Sequence, residues 1–468
     1  MTAITRFSGL RALPKVLAIF VALTVLLTGC GLTARGKVQP QNINQNSDTA
    51  FDWKKFSGTT VNVMLVDHPW TKGFKANLAD FVKETGIKVH LQVVTEDLYA
   101  DTLAKDFKNK TGPDVFMTGL DSGIVDQQQG GLVESLTPFL NNPHLTTSDY
   151  NVADFPNKVL EPAKLPAGNG KKELFGLPIS TECYILFYNK YLVNKYLGGL
   201  VPQTMADLIA AAQLITKAGK GEVFGSVVRG LAYSDIDVLT SLVYNEWADT
   251  EGKISLPYNV WFKNTWKNPR LTDPAIVKGL SEYAALMAAG PPNRFSIDWA
   301  AANDLFKQGK VAFYLDASVF QPGFEDRSTS PIAGRVGYSL LPTGAFGGTT
   351  GQWSWGIGIS SASKNKEAAW YLTQWFTDSA RTALIGGFTG GPPRQSSAAI
   401  PAFNSKLNIN FVSTVKIAMN TARPTSIISS DLDPIVSALT SNVIEMAKGM
   451  DPHLAAEHAQ KELESIRN

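Results

Sequence analysis

The stretch that most constrains the fold lies in mid-chain, at residues 177–190, LPISTECYILFYNK. It opens with a turn proline and a short polar run, Ser180-Thr181-Glu182, then becomes Tyr184-Ile185-Leu186-Phe187-Tyr188. Five consecutive apolar and aromatic residues suit a strand covered on both faces, which needs a sheet with further elements packed on either side. Asn189-Lys190 ends the run. A polar turn leading into such a strand sets the carboxylate of Glu182 where a sheet meets a cleft.

The flanking segments supply the rest of that sheet. Thr60–Val66 reads as a first strand, followed by a turn at His68-Pro69-Trp70. Phe74, Leu78, Phe81 and Val82 fall at i, i+4, i+7 and i+8, one face of a helix that Gly86 would cap. Residues 87–94 form a second strand, 98–107 a helix and 114–117 a short third strand behind the Gly112-Pro113 breaker. The same logic recurs later. Thr204 with Asp207 makes a capping-box arrangement ahead of Leu208, Ala211, Ala212 and Ile215. Residues 223–228, 311–315 and 353–360 read as strands, and 298–308 and 367–376 as helices. Ile435, Leu439, Val443 and Met446 lie on the face of one more helix. Strand–helix alternation of this kind predicts an α/β fold with a parallel sheet and right-handed crossovers.

The N-terminus reads as an address rather than fold. Arg6, Arg11 and Lys15 precede an apolar run at 16–27 that is too short to span a bilayer unaided. It leads into Leu27-Thr28-Gly29-Cys30, which resembles the lipobox of bacterial lipoproteins. The resemblance implies that residues 1–29 are a signal peptide and that Cys30 carries lipid. Residues 31–49 hold little beyond small and polar side chains and are expected to stay flexible. The tether is placed at 30–57. About 420 residues follow, enough for two or three domains of roughly 150 each. With Cys30 assigned to lipid, Cys183 has no partner and reads as core.

Several function classes are disfavoured. A net charge of +2 without a polybasic run gives no nucleic-acid footprint. Neither a P-loop, a GxGxxG, an HExxH, a CxxC nor a GxSxG occurs. The five histidines are scattered without metal-ligand spacing, His453 and His458 falling on a surface helix. No catalytic residue, metal or cofactor is nominated. What the loops after the strands do carry is polar and aromatic side chains: Asp121, Glu182, Tyr233, Asp235, Asp316, Trp353 and Trp355. In open α/β sheets ligands sit outside the carboxyl ends of strands. Aromatic faces with carboxylates around them suit a sugar, whose C–H face stacks while its hydroxyls are bonded in pairs.

Motifs in order along the chain then resemble a known family. They are FVKETGIKV at 81–89, GPDV at 112–115 with GGL and LTP beyond, Pro178 to Glu182 with Tyr188-Asn189-Lys190, LFKQGKVAF at 305–313, and the 353–359 run followed by SKNKEAA at 363–369. Together they resemble the family 1 extracellular solute-binding proteins of ABC importers, the maltose-binding-protein group. The resemblance implies a two-lobed periplasmic-binding-protein fold of type II with three hinge crossings. Lobes would comprise 58–181 with 358–390, and 182–357 with 391–468. It also implies a monomer held by lipid on the outer face of the cytoplasmic membrane, passing a carbohydrate to the permease's transmembrane subunits. Asp121 and Glu182 would accept sugar hydroxyls, Tyr233 would stack, Trp353 and Trp355 mark the second crossing, and Arg394 in the GGPPR turn would face ligand. Where many members stack a tryptophan on sugar, this chain has Val319 with Phe320 next. A polyamine, a polyol or a glycerol phosphate is the alternative ligand, and a secreted glycan hydrolase the rival of another class, requiring two cleft carboxylates.

Overall fold

The computed structural model describes residues 50–466 apart from 169, 233, 248–259, 264–267, 346, 405–406, 426 and 428–430. The signal segment, Cys30 and Tyr233 therefore lie outside the described residues.

One sheet runs through the molecule. Its strands in chain order are β1 (Thr60–Val66), β2 (Lys88–Val94), β3 (Val115–Gly119), β4 (Leu177–Asn189), β5 (Phe224–Val227), β6 (Val311–Ala317), β7 (Val336–Ser339), β8 (Gly351–Ile359) and β9 (Arg423–Pro424). Their spatial order is β2-β1-β3-β8-β4-β6-β5, with β7 also on β4 and β9 on β8. The alternation expected from sequence holds at the two ends, where β1 pairs parallel with β2 and β3, and β6 with β5. The middle differs: β8 is antiparallel to both β3 and β4, and β4 is antiparallel to β6 and β7. A sheet made only of crossover units would be parallel throughout. Two long strands that leave one half for the other break that rule.

Two separate apolar cores flank those strands. The first gathers Val61, Phe74, Phe81, Val115, Ile179, Ile357 and Trp375, among others; the second gathers Cys183, Ile185, Leu208, Leu239, Phe313, Phe411 and Leu439. β4 passes from the first core at Ile179 to the second at Cys183. β8 passes between them in two residues, since Trp353 packs on the second core and Trp355 on the first. The third crossing follows the helix Ser379–Thr389, whose Ile385 is in the first core, and ends before Phe411 in the second. Gly390 closes that helix with φ +67°, and a Cβ there would meet the Phe411 ring at 2.9 Å and the Ser318 carbonyl at 3.0 Å. Only glycine fits such a corner without strain.

Local chemistry accounts for much of this. The Asp114 carboxylate accepts from the Asn62 backbone N–H at 2.8 Å and from Ser363 Oγ at 2.5 Å, pinning β1 and the segment after β8 to the start of β3. His68 and Pro69 do not form a free turn. His68 is the N-cap of the helix Pro69–Thr85, its Nδ1 accepting from Trp70 N at 3.1 Å, with proline at the first helical position. Ser180-Thr181-Glu182 is likewise strand rather than turn. Pro178, which has no N–H for the ladder, is accommodated because the register slips opposite Trp355 and Gly356. Residues 51–56, placed in the tether by their neighbours' composition, pack on the first core: the Phe51 ring stacks on Tyr371 at 5.0 Å and Phe56 meets it edge-on at 4.8 Å. Three aromatic side chains outweigh the polar run before them.

Candidate functional site

Where β4 and β8 cross between the cores, their paired residues share a face. Trp353 lies opposite Glu182 and Trp355 opposite Ser180, so Ser180, Glu182, Trp353 and Trp355 all project the same way. On the other face Ser354 Oγ donates to Thr181 Oγ1 at 3.3 Å. Glu182, Trp353 and Trp355 look into a chamber of about 40 Å³, walled by His68, Glu96, Glu182, Arg229, Asp237, Trp299, Val319, Phe320, Trp353 and Trp355.

Glu182 is the floor. It is 7 % exposed, its Oε2 has no hydrogen-bond partner among the described residues, and burial pushes its carboxyl well above the usual carboxylate range. A buried acceptor left unbonded costs about 1–3 kcal/mol. A ligand hydroxyl would remove that cost. Arg229 enters from the residue pair after β5. Its Nε donates to Asp316 Oδ2 at 2.9 Å, a second guanidinium nitrogen pairs with Asp316 Oδ1, and Nη1 donates to the Ser234 carbonyl at 2.7 Å. Asp237 stands in the first turn of the helix Ile236–Glu246, where Thr425 Oγ1 donates to it at 2.5 Å; its carboxyl is raised, chiefly by burial. His68 is held neutral, its pKa lowered to about 3 by burial and by Lys72. Because Nδ1 accepts from Trp70 N, the proton resides on Nε2, a donor.

The aromatic wall is built from both halves. The Trp353 and Trp355 rings meet edge-to-face at 4.5 Å, and His68 lies 5.9 Å from Trp355. Across the chamber Trp299 stacks on Phe320 at 5.4 Å and 10°. The indole N–H of Trp299 bonds Glu96, a side chain of the helix Glu96–Asn109 that belongs to the other half.

Of the residues nominated from sequence, the structure brings Glu182, Trp353 and Trp355 to the chamber. Asp121 stands behind the wall. It caps the helix Ser122–Gln129 through Gly123 N at 2.9 Å and accepts the Trp353 indole N–H at 3.3 Å, its carboxyl pushed up to about 6 by burial. Asp316 has no exposed surface and reaches the chamber only through Arg229. Asp235 is 1 % exposed and accepts from Thr440 Oγ1 at 3.1 Å within the second core. Arg394 is turned away: it donates to the Thr377 and Asn151 carbonyls at 2.5 Å each and lies over the Tyr150 and Phe155 rings, tying the third crossing to the loop at 150–155. Asp316 and Asp235 find their partners within the second half, whereas Arg394 finds its own around residues 150–155 and Thr377.

Sequence reasoning passed over His68, Glu96, Arg229, Asp237, Trp299 and Phe320 as ligand groups. The signal for Arg229 was its place directly after the 223–228 strand. Glu96 was equally legible, just beyond β2. Trp299 was not, because it opens a helix whose start gives no hint of what lies across the cleft.

A match to the family model for bacterial extracellular solute-binding proteins spans residues 68–381. The chain belongs to that family. Within it, the erythritol/L-threitol-binding protein of Mycolicibacterium smegmatis is 25 % identical over 388 residues, covering 79 % of this chain and 77 % of its own length. Among solved structures, an ABC-transporter solute-binding protein of Agrobacterium vitis with bound D-mannitol superposes with a TM-score of 0.72 at 23 % identity, over 87 % of this chain and 98 % of that one. Maltose-bound MalE3 of T. maritima gives 0.71 at 18 %, over 87 % and 100 %. The solute-binding family, an extracellular one, accounts for the two cores and three crossings, and the solved structures share this type II binding-protein fold.

Proposed function

We propose that this solute-binding protein captures a small polyol or monosaccharide between its two halves and presents it to an ABC permease. The carrying observation is the unbonded, buried Oε2 of Glu182 at the floor of a small aromatic-walled chamber. Around it stand donors (Arg229, His68 Nε2) and acceptors (Glu182, Asp237, Glu96), the mixture that groups acting as both donor and acceptor require. The stacked rings suit C–H faces. So small a chamber suits one small solute better than an oligosaccharide. The relative named for erythritol and L-threitol, and the solved structure with bound D-mannitol, support the same class.

In this reading Glu182 and Asp237 take hydroxyl hydrogens, Arg229 and His68 supply hydrogen bonds, and Trp353 and Trp355 stack. Asp121 and Asp316 act by positioning Trp353 and Arg229. The lobes are assigned as 58–181 with 358–390 and 182–357 with 391–468, closing as hinged bodies. Attachment through a lipid on Cys30 would keep the monomer beside its permease.

A second ligand class draws on one observation. Arg229 is neutralised by Asp316, so the carboxyls of Glu96, Glu182 and Asp237, which a bound ammonium would ionise, suit a polyamine. Titration calorimetry separates the two, with erythritol, ribitol, mannitol, glucose, maltose, glycerol 3-phosphate and spermidine as probes. Binding of a polyol or monosaccharide that Glu182→Ala and Trp355→Ala abolish is the expected result. Binding of spermidine alone would overturn the assignment.

A further inference from the structure

The chamber does not end at a continuous wall. On its outer side lies a second, larger groove of about 400 Å³, and the two spaces share four side chains: His68, Trp299, Val319 and Phe320. Of these, Trp299 is fixed at three points. Its backbone N–H donates to Ser234 Oγ at 3.2 Å, its ring lies flat on Phe320, and its indole N–H bonds Glu96 in the opposite half. Asp298 accepts from Ala301 N at 2.8 Å and caps the helix Trp299–Lys307 that carries it. The indole therefore stands across the cleft as a partition, bolted to both halves.

We propose that Trp299, held by Phe320 and latched to Glu96, sets ligand length: it confines the solute to the inner chamber and shuts out chains that would extend into the outer groove. The inference rests on the polyol or monosaccharide reading. A single small solute ends at the indole. A second sugar unit would occupy the space the ring fills and would break the bond to Glu96. The same bond forms only when the halves meet, so it also slows reopening around a bound solute.

The test compares the wild type with Trp299→Ala, Trp299→Phe and Glu96→Ala, by calorimetry and stopped-flow with mannitol, erythritol and maltose. Loss of the stack and the latch should weaken binding of the small solute by at least about tenfold in Trp299→Ala. Maltose, excluded by the wild type, should bind that variant. Trp299→Phe keeps a ring but not the N–H, and Glu96→Ala removes the acceptor; both should still exclude maltose while releasing the small solute faster. Variants that match the wild type in affinity, release rate and exclusion of maltose overturn the partition alone. A wild type that binds maltose, or no polyol or monosaccharide, overturns both the partition and the reading on which it rests.

Discussion

Replacing Arg229 by methionine removes the cation from a pair in which the partner cannot reach water. The Asp316 side chain has 0 % exposure and that of Arg229 8 %. Apart from Arg229, the hydrogen bond given to Asp316 among the described residues is that of the Ala317 backbone N–H, at 2.6 Å. Taking one member from a buried ion pair costs about 3–5 kcal/mol, because the other charge is left uncompensated. The Ser234 carbonyl loses its donor as well, which adds about 1 kcal/mol. Arg229→Met should therefore lose about 4 kcal/mol or more in urea unfolding, read by linear extrapolation. The double variant Arg229→Met/Asp316→Leu has no stranded charge and should recover most of that loss, about 2–3 kcal/mol. Asp316→Asn gives the functional half of the argument. Asp316 is not a wall of the chamber, so weaker solute binding in that variant reports a displaced Arg229. A loss under about 1 kcal/mol in the single variant, or simple additivity in the double, would refute the claim that the pair is buried and mutually dependent.

Other outcomes follow from burial. Asp235 is pushed up to about 7 from 3.8, chiefly by burial. Between those values the folded chain keeps a proton that the unfolded chain has released, so this group's contribution to stability falls as pH rises through that window, and Asp235→Asn should flatten the slope measured by urea unfolding from pH 4 to 8. His68 acts in the opposite sense. Lowered to about 3, it stays neutral when folded, so its contribution is lost as pH falls below 6.5, and His68→Gln should reduce acid sensitivity over pH 6.5 to 3. Cys183 is fully buried with its thiol pushed up to about 12, so mass-spectrometric mapping should find it unlabelled by iodoacetamide in the native protein and labelled in urea. Gly225→Ala would set a Cβ 1.8 Å from the Ala212 carbonyl oxygen and should destabilise by about 2–3 kcal/mol in the same unfolding assay.

What could be read in the sequence was whatever a local pattern carries. The apolar run at 184–188 is a strand with buried neighbours on both sides, and Leu208, Ala211, Ala212 and Ile215 do form the buried face of a helix. Glu182 and the two tryptophans were found because they sit on the strands that join the halves. Pairings between distant parts of the chain were not legible. Nothing near Asp316 announces that a residue 87 positions earlier will claim its carboxylate, and nothing near Trp299 points to Glu96, 203 positions away. The same holds for Arg394, whose partners at 150–155 lie about 240 positions upstream. A charged residue at a strand end reads as a ligand group until its competitor for the same space is known.

The placement of the site on β4 and β8 has a mechanical consequence. These strands carry the chain between the cores, and they also present Glu182, Trp353 and Trp355 to the chamber. A solute bonded to them does not by itself favour a closed state, since the strands belong to both halves in either arrangement. The difference must come from groups that reach the chamber from one half alone. His68 and Glu96 come from the first, and Arg229, Asp237, Trp299 and Phe320 from the second. Only their contacts with a common solute, and with one another as in Trp299 and Glu96, change between open and closed, and a ligand shifts an equilibrium by no more than its differential affinity for the two states. Substitutions on the strands should therefore weaken binding with little effect on compaction per bound solute in small-angle scattering. Substitutions of Glu96 or Trp299 should reduce compaction even at saturating solute. Equal effects from the two groups would show that the strands themselves change shape on binding.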